Sequence, residues 1–329
     1  MRTEIIETLK AGDWVSRADA ITALNEDDSI AALPALLDCL QALEWPVCAN
    51  AAVALGQTGD KSTVAAIAEA LQDPEWPVRQ NVVFALGKMK DAVAVPSLVD
   101  ALHDAEWVVR AEAAFALGVI GDKTATKPLL DVLRNDSVWT VQLYAASALG
   151  NIGDAAALGD LLVASKSAEW PVRMSAVLAL GQIGDLGVVS HLIEILADDN
   201  FNIRQAAVGA LGMLQSIDAL SKLSVALSNE AWPVRACAAL ALGHIGDPSA
   251  VTALTEAQFD EETGVRWAVA WALATLQDSK IPDLHVALEG ADSEIQQVAL
   301  WALVITGQDD LSVLKDTPVE PETVDELSR

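Results

Sequence analysis

Tryptophan recurs along this chain at a nearly fixed step, and that step constrains the fold more than any other feature. Trp14, Trp45, Trp76 and Trp107 are 31 residues apart; Trp139 follows after 32, Trp170 after 31, and Phe201 and Trp232 keep the frame at 31 each. A phrase travels with the ring: Glu75-Trp76-Pro77-Val78-Arg79, Glu106-Trp107-Val108-Val109-Arg110, Glu169-Trp170-Pro171-Val172-Arg173 and Ala231-Trp232-Pro233-Val234-Arg235. Weaker echoes at Thr263-Gly264-Val265-Arg266 and from Ser293 to Gln296 bring the count to ten units over residues 13–307. A unit this short cannot bury its own apolar face, so it must stack on its neighbours.

Each unit reads as two antiparallel helices. The second opens at Trp-Pro-Val-Arg, where the fixed φ of proline suits a first helical turn. It closes at Ala-Leu-Gly, as in Ala85-Leu86-Gly87 and Ala241-Leu242-Gly243. That glycine is expected just past the helix end, in the left-handed conformation. The aspartate of the following Gly-Asp turn, at Asp122, Asp154, Asp185 and Asp247, suits the N-cap of the next helix. The first helix carries Val64, Ile67, Ala68 and Leu71 at helical spacing. Pro34, Pro96 and Pro128 fall early in it and are expected to loosen or bend its first turns. Counting the second helix from its arginine as slot zero, at about 100° per residue, puts slots −1, +3, +4, +6 and +7 on one core-facing side. In the third unit these are Val78, Val82, Val83, Ala85 and Leu86. The expected fold is all-α, an α-solenoid (superhelix) of about ten helix-turn-helix repeats. An N-terminal cap is expected over residues 1–12 and repeats over 13–307; an acidic tail over 308–329, carrying Pro318 and Pro321, is expected to be mobile.

The Trp-x-Val-Arg opening, Ala-rich middle, Ala-Leu-Gly end and Gly-Asp turn resemble the HEAT-like repeats of the phycobilin lyase family, E/F-type, over nearly the whole chain. For the heterodimeric lyases of that family the resemblance implies attachment or isomerisation of linear tetrapyrroles on phycobiliprotein cysteines. Deoxyhypusine hydroxylase is another enzyme built on such repeats, with an iron site of paired His-Glu motifs. Here His103 is followed by Asp104, His191 by Leu192, His244 by Ile245 and His285 by Val286, so that motif is not present.

Charge narrows the partners. With 20 Lys+Arg against 47 Asp+Glu, the net charge is −27. That disfavours nucleic acid and anionic membranes, which need a basic face. It suits a protein partner with basic patches, and equally a surface acidic for solubility or salt. Cys39, Cys48 and Cys237 form no disulfide framework or metal cluster pattern. No long unbroken apolar run or secretory pattern occurs, so the chain reads as cytoplasmic. Walker, Gly-x-Ser-x-Gly, Cys-x-x-Cys and His-Glu-x-x-His motifs do not occur. No catalytic residue, metal or cofactor is therefore expected from the residues themselves.

Slots +1, +2 and +5 turn away from the core. Slot +5 holds Val53, Phe84, Phe115, Leu178, Leu240 and Trp271; slot +1 includes Leu143, Met174 and Trp267; slot +2 includes Asn50, Asn81, Glu112, Tyr144 and Ser175. In HEAT-type solenoids the second helices line the concave side, so the resemblance implies an apolar groove there. Its expected binding residues are Phe84, Phe115, Leu143, Tyr144, Met174, Leu178, Leu240, Trp267, Trp271 and Trp301. The competing reading makes slot +5 plain inter-repeat core. Two uses of a groove stay open: a non-catalytic scaffold or assembly chaperone holding a protein, and a bilin lyase or bilin-carrying subunit with a linear tetrapyrrole as its cofactor. The tryptophan ladder is expected to wedge neighbouring units apart. The arginines at slot zero are Arg17, Arg79, Arg110, Arg173, Arg204, Arg235 and Arg266, with Asp73, Asp104, Asp198 and Asp260 six residues before four of them. This ladder is expected to be structural, making ion pairs or carbonyl bonds between neighbouring loops.

Overall fold

A computed structural model describes residues 2–24, 26–276 and 293–306, and among these the regular structure is entirely helical. The proposed C-terminal tail lies outside the described residues. Two compact units divide the chain, residues 1–160 and 161–329. In unit 1 the second helices are α2 (Trp14–Thr22), α5 (Trp45–Thr58), α7 (Trp76–Met89), α9 (Trp107–Ile120) and α11 (Trp139–Ile152). The first helices there include α4 (Leu33–Cys39), α6 (Val64–Glu69), α8 (Val95–Ala101) and α10 (Thr126–Asn135). In unit 2 the second helices are α13 (Trp170–Ile183), α15 (Phe201–Met213), α17 (Trp232–Ile245) and α19 (Thr263–Leu276), followed by α20 (Ser293–Thr306). Within each unit consecutive second helices stack side by side, and each first helix packs on its own second helix. The result is two helical layers around one apolar seam.

The apolar spacing of the second helix accounts for that seam. Val78, Val82, Val83, Ala85 and Leu86 have no exposed surface at all. Leu55, Leu117, Leu149, Leu180, Leu211 and Leu242 repeat the buried leucine of slot +7. From Asp60 on, each repeat makes one 3-10 turn before its first α-helix. Its aspartate accepts the N–H two residues on: Asp60 from Ser62 at 3.0 Å, Asp122 from Thr124 at 2.8 Å, Asp154 from Ala156 at 3.1 Å and Asp247 from Ser249 at 2.8 Å. The cap is thus on the 3-10 turn, one step earlier than a cap on the α-helix itself.

Two local expectations are corrected. Gly87 and Gly243 lie inside their helices, not past the ends. The left-handed positions belong to the next glycine along: Gly59, Gly121, Gly153, Gly184 and Gly246 have φ between 63° and 80°. The Ala-Leu-Gly glycine serves close approach instead. A Cβ on Gly87 would sit 2.8 Å from the Cβ of Ala116, and one on Gly243 would sit 2.7 Å from the Cα of Ala272. The same notch recurs at Gly56 against Ala85, Gly118 against Ala148 and Gly181 against Ala210. The prolines do not disturb the first helices either. Pro34 and Pro96 stand at the first or second position of α4 and α8, and Pro128 is the third residue of α10. Those N–H groups have no intrahelical acceptor, so proline removes nothing.

Within each compact unit the arginine slot ties one repeat to the next. Arg79 grips Asp104 with two bonds of 2.6 and 2.8 Å, and its Nη1 donates to the carbonyls of Asp73 and Pro74. Arg110 repeats this with Asp136 at 2.6 and 3.0 Å, and Arg235 with Asp260 at 2.7 and 2.8 Å. Arg173 keeps its carbonyl bonds but stands 3.6 Å from Asp198. Arg204 faces Asn229 where an aspartate would stand, and takes Glu230 at 2.7 Å. Arg266 donates to the carbonyls of Asp260 and Glu261. Burial alone would raise the carboxyls of Asp104, Asp136 and Asp260. The guanidinium bond and a backbone N–H two residues on outweigh it and hold all three below the usual carboxylate range.

Candidate binding face

The second helices of unit 1 turn an aromatic face to solvent. The helix period sends slots −3, +1, +2 and +5 away from the buried seam. Trp14, Trp45, Trp76 and Trp107, each the first residue of its helix, are 41–49% exposed, and Phe84 at slot +5 is 43% exposed. Phe115 and Tyr144, from neighbouring helices, meet edge to face with centroids 6.2 Å apart. Both are half-buried, as is Leu143. Burial, and to a lesser degree Glu112, raises the Tyr144 phenol. Asn81 donates to the carbonyl of Pro77 on its own helix at 2.8 Å. Glu44, Glu75 and Glu106 precede the tryptophans and put a carboxylate at each helix entrance. The wedge expected of the tryptophans is only part of their arrangement: Trp14, Trp45, Trp76 and Trp107 are left nearly half in water, while Trp139 is more covered.

Unit 2 corrects the expectation of a continuous open floor. Leu178 is 4% exposed, Leu240 has no exposed surface and Trp271 is 5% exposed. Met174, Trp267 and Trp301 are half-buried. Beside Leu240, α20 crosses α17, and Val298 and Trp301 line the same small space; Leu178 is buried at the same slot of α13. Trp271 instead leans into the notch of the preceding helix, its ring 3.2 Å from where a Cβ on Gly243 would stand. No periodicity argument could show a helix folded across the face, because the contact joins residues whose own slots carry no mark of it.

No group of three or more His, Cys, Asp or Glu side chains gathers as metal ligands among the described residues. Burial raises the thiol of Cys48 to about 11 and that of Cys237 to about 12, so both stay protonated near neutrality. The guanidinium groups of Arg79, Arg110 and Arg235 are fully engaged by the ladder. No helix among the described residues is long and apolar enough to cross a membrane.

Comparison with known proteins gives the class. The model for HEAT repeats matches residues 33–118, 64–142, 126–203 and 189–274, and the PBS lyase HEAT-like repeat matches residues 265–290. A comparison with curated proteins finds no match. Among solved structures, importin beta is 14% identical with a TM-score of 0.62, over 92% of this chain and 52% of that one. The CpcE–CpcF complex of phycocyanin lyase from Nostoc sp. is 22% identical, TM-score 0.46, over 77% of this chain and 95% of that one. Human deoxyhypusine hydroxylase is 27% identical, TM-score 0.35, over 77% and 97%. With matches to the HEAT-repeat model running from residue 33 to residue 274, the chain belongs to the HEAT-repeat family and is an α-solenoid of that class.

Proposed function

We propose that this chain is a non-catalytic HEAT-repeat scaffold that holds a protein partner on the aromatic face of unit 1. The observation that carries this reading is the row of half-exposed rings, Trp14, Trp45, Trp76, Trp107 and Phe84, on one side of consecutive helices. Large apolar rings gathered on one side of neighbouring helices are what a partner would cover. Carboxylates at the helix entrances and the net charge of −27 favour a partner segment bearing Lys or Arg. The test compares Phe84→Ala with the parent, by denaturant midpoint and by affinity for the purified partner recovered from the native host. Affinity should fall about 30-fold, the equivalent of about 2 kcal/mol for an aromatic anchor. The midpoint should move far less than in Leu86→Ala, whose side chain is fully buried. A midpoint shift as large as that of Leu86→Ala, with affinity intact, would put Phe84 in the core and remove the site.

A second reading has one observation in its favour, the match of residues 265–290 to the PBS lyase HEAT-like repeat. On that reading the ligand is a linear tetrapyrrole. Mixing the pure protein with one should shift its visible absorption, and an unchanged spectrum would discard the idea.

A further inference from the structure

The face of unit 2 already has an occupant. In a regular stack the second helix of one unit meets only the neighbouring second helices, yet α20 packs on α19, α17 and α15 together. It covers slots +2 and +5, which are at least partly open in unit 1, and slot +1, which is already buried there at Ala49 and Ala111. Ala236, Cys237 and Leu240, slots +1, +2 and +5 of α17, face Val298 and Trp301. The space left between them is about 10 Å³, no more than a single water would fill. At Gly209, slot +5 of α15, the Trp301 ring stands 3.7 Å from where a Cβ would be. The carboxylate of Glu294 accepts the N–H of Gly264 at 3.0 Å, in the first turn of α19, where backbone donors lack helical acceptors. Glu294, Val298 and Trp301 follow at intervals of four and three residues, so one face of α20 makes all three contacts.

Among the described side chains of α20, Val298, Ala299 and Ala302 are buried, two of them alanines, and the large anchor Trp301 is left half-buried. We propose that the α15–α17–α19 face is a docking groove for an amphipathic helix with a carboxylate, an aliphatic residue and a tryptophan at positions i, i+4 and i+7. Its resident occupant is α20, and a partner helix of the same pattern displaces it. A helix tethered to its own site competes at high effective concentration, so an external helix gains access as the resident one is weakened. This inference concerns unit 2 and stands apart from the reading of the unit 1 face, which Phe84→Ala tests separately.

Cys237 supplies the readout, since it lies 1% exposed beneath α20. Cys39 and Cys48, buried in unit 1, are internal controls. The full chain and Trp301→Ala are treated with a thiol reagent, and modification at each cysteine is followed by mass spectrometry. Cys237 should react at least about tenfold faster in the variant, with Cys39 and Cys48 unchanged. A fluorescent peptide of residues 293–306 should bind the variant at least about tenfold more tightly than the parent, and should protect Cys237 again. If Trp301→Ala does not fold, Glu294→Ala, which removes the carboxylate that accepts the Gly264 N–H, should show the same order with a smaller effect. Equal acceleration at all three cysteines, an unchanged Cys237, or no peptide binding to either chain would make α20 fixed core and overturn the proposal.

Discussion

An alanine at position 87 would improve the helix and spoil the packing. Glycine inside a helix costs about 1 kcal/mol against alanine, so propensity alone favours Gly87→Ala. The added Cβ would meet the Cβ of Ala116 at 2.8 Å, closer than carbon atoms tolerate. Both atoms belong to helix interiors, so neither can swing aside. Overpacking of this kind costs about 1–3 kcal/mol and outweighs the propensity gain. Gly87→Ala should therefore lower the denaturant midpoint, and Ala116→Gly added to it should recover part of the loss. A midpoint that rises in the single variant would show that α7 and α9 can separate freely. Lys90 sits under a different demand: with φ 49° it holds the left-handed place that glycine takes in five other units.

Between elements the arginine ladder acts as a two-way clamp. One guanidinium closes its own loop through two carbonyls and reaches the aspartate of the next loop with its other edge. Arg110 does this at 14% side-chain exposure, against an Asp136 carboxylate exposed by 7%. A pair so far from water is weakly screened. Arg110→Ala removes the charged bonds and leaves Asp136 to its Val138 N–H alone among these contacts. The expected loss is about 1.5–3 kcal/mol, read as a shift in midpoint with an unchanged denaturant slope. Binding measured on the still-folded variant should be unaltered. A variant as stable as the parent that loses binding would assign Arg110 to a ligand site. Arg173, 3.6 Å from Asp198, should lose less on the same substitution.

Over the whole molecule the ladder carboxylates contribute to the response to acid. Asp104 and Asp136 in unit 1 and Asp260 in unit 2 are held below the usual carboxylate range in the folded state. A folded-state value below the unfolded one means that the ionised form is bound more tightly in the fold. The resulting stability is fully present above the unfolded value, about 3.9, and is lost as pH falls through the lower folded values. The midpoint should therefore be level from about pH 7 to about pH 5 as far as these groups are concerned, and should fall steadily below about pH 4. Asp104→Asn should start lower and show a shallower acid decline. Parallel acid curves for parent and variant would mean that the Arg79–Asp104 bond contributes no differential stability.

The sequence by itself determined what depends on neighbours within one helix or one repeat. The period of the tryptophans set the unit, and the helical spacing of Val78, Val82, Val83 and Leu86 named the buried side. The arginines and aspartates were legible as a ladder because most repeats carry the same residues at the same local positions. The two glycines of each turn were not told apart. Both suit a helix end, and only the distance to Ala116 or Ala272 on the next helix shows which one serves close approach. The open or closed state of the outward slots was beyond any periodic argument. Phe84 and Leu240 occupy the same slot, yet one stands in water and the other is sealed beneath α20. Leu240 and Trp301 stand some 60 positions apart in the chain, and their meeting at one small space is decided by where the chain folds back, not by the character of either residue.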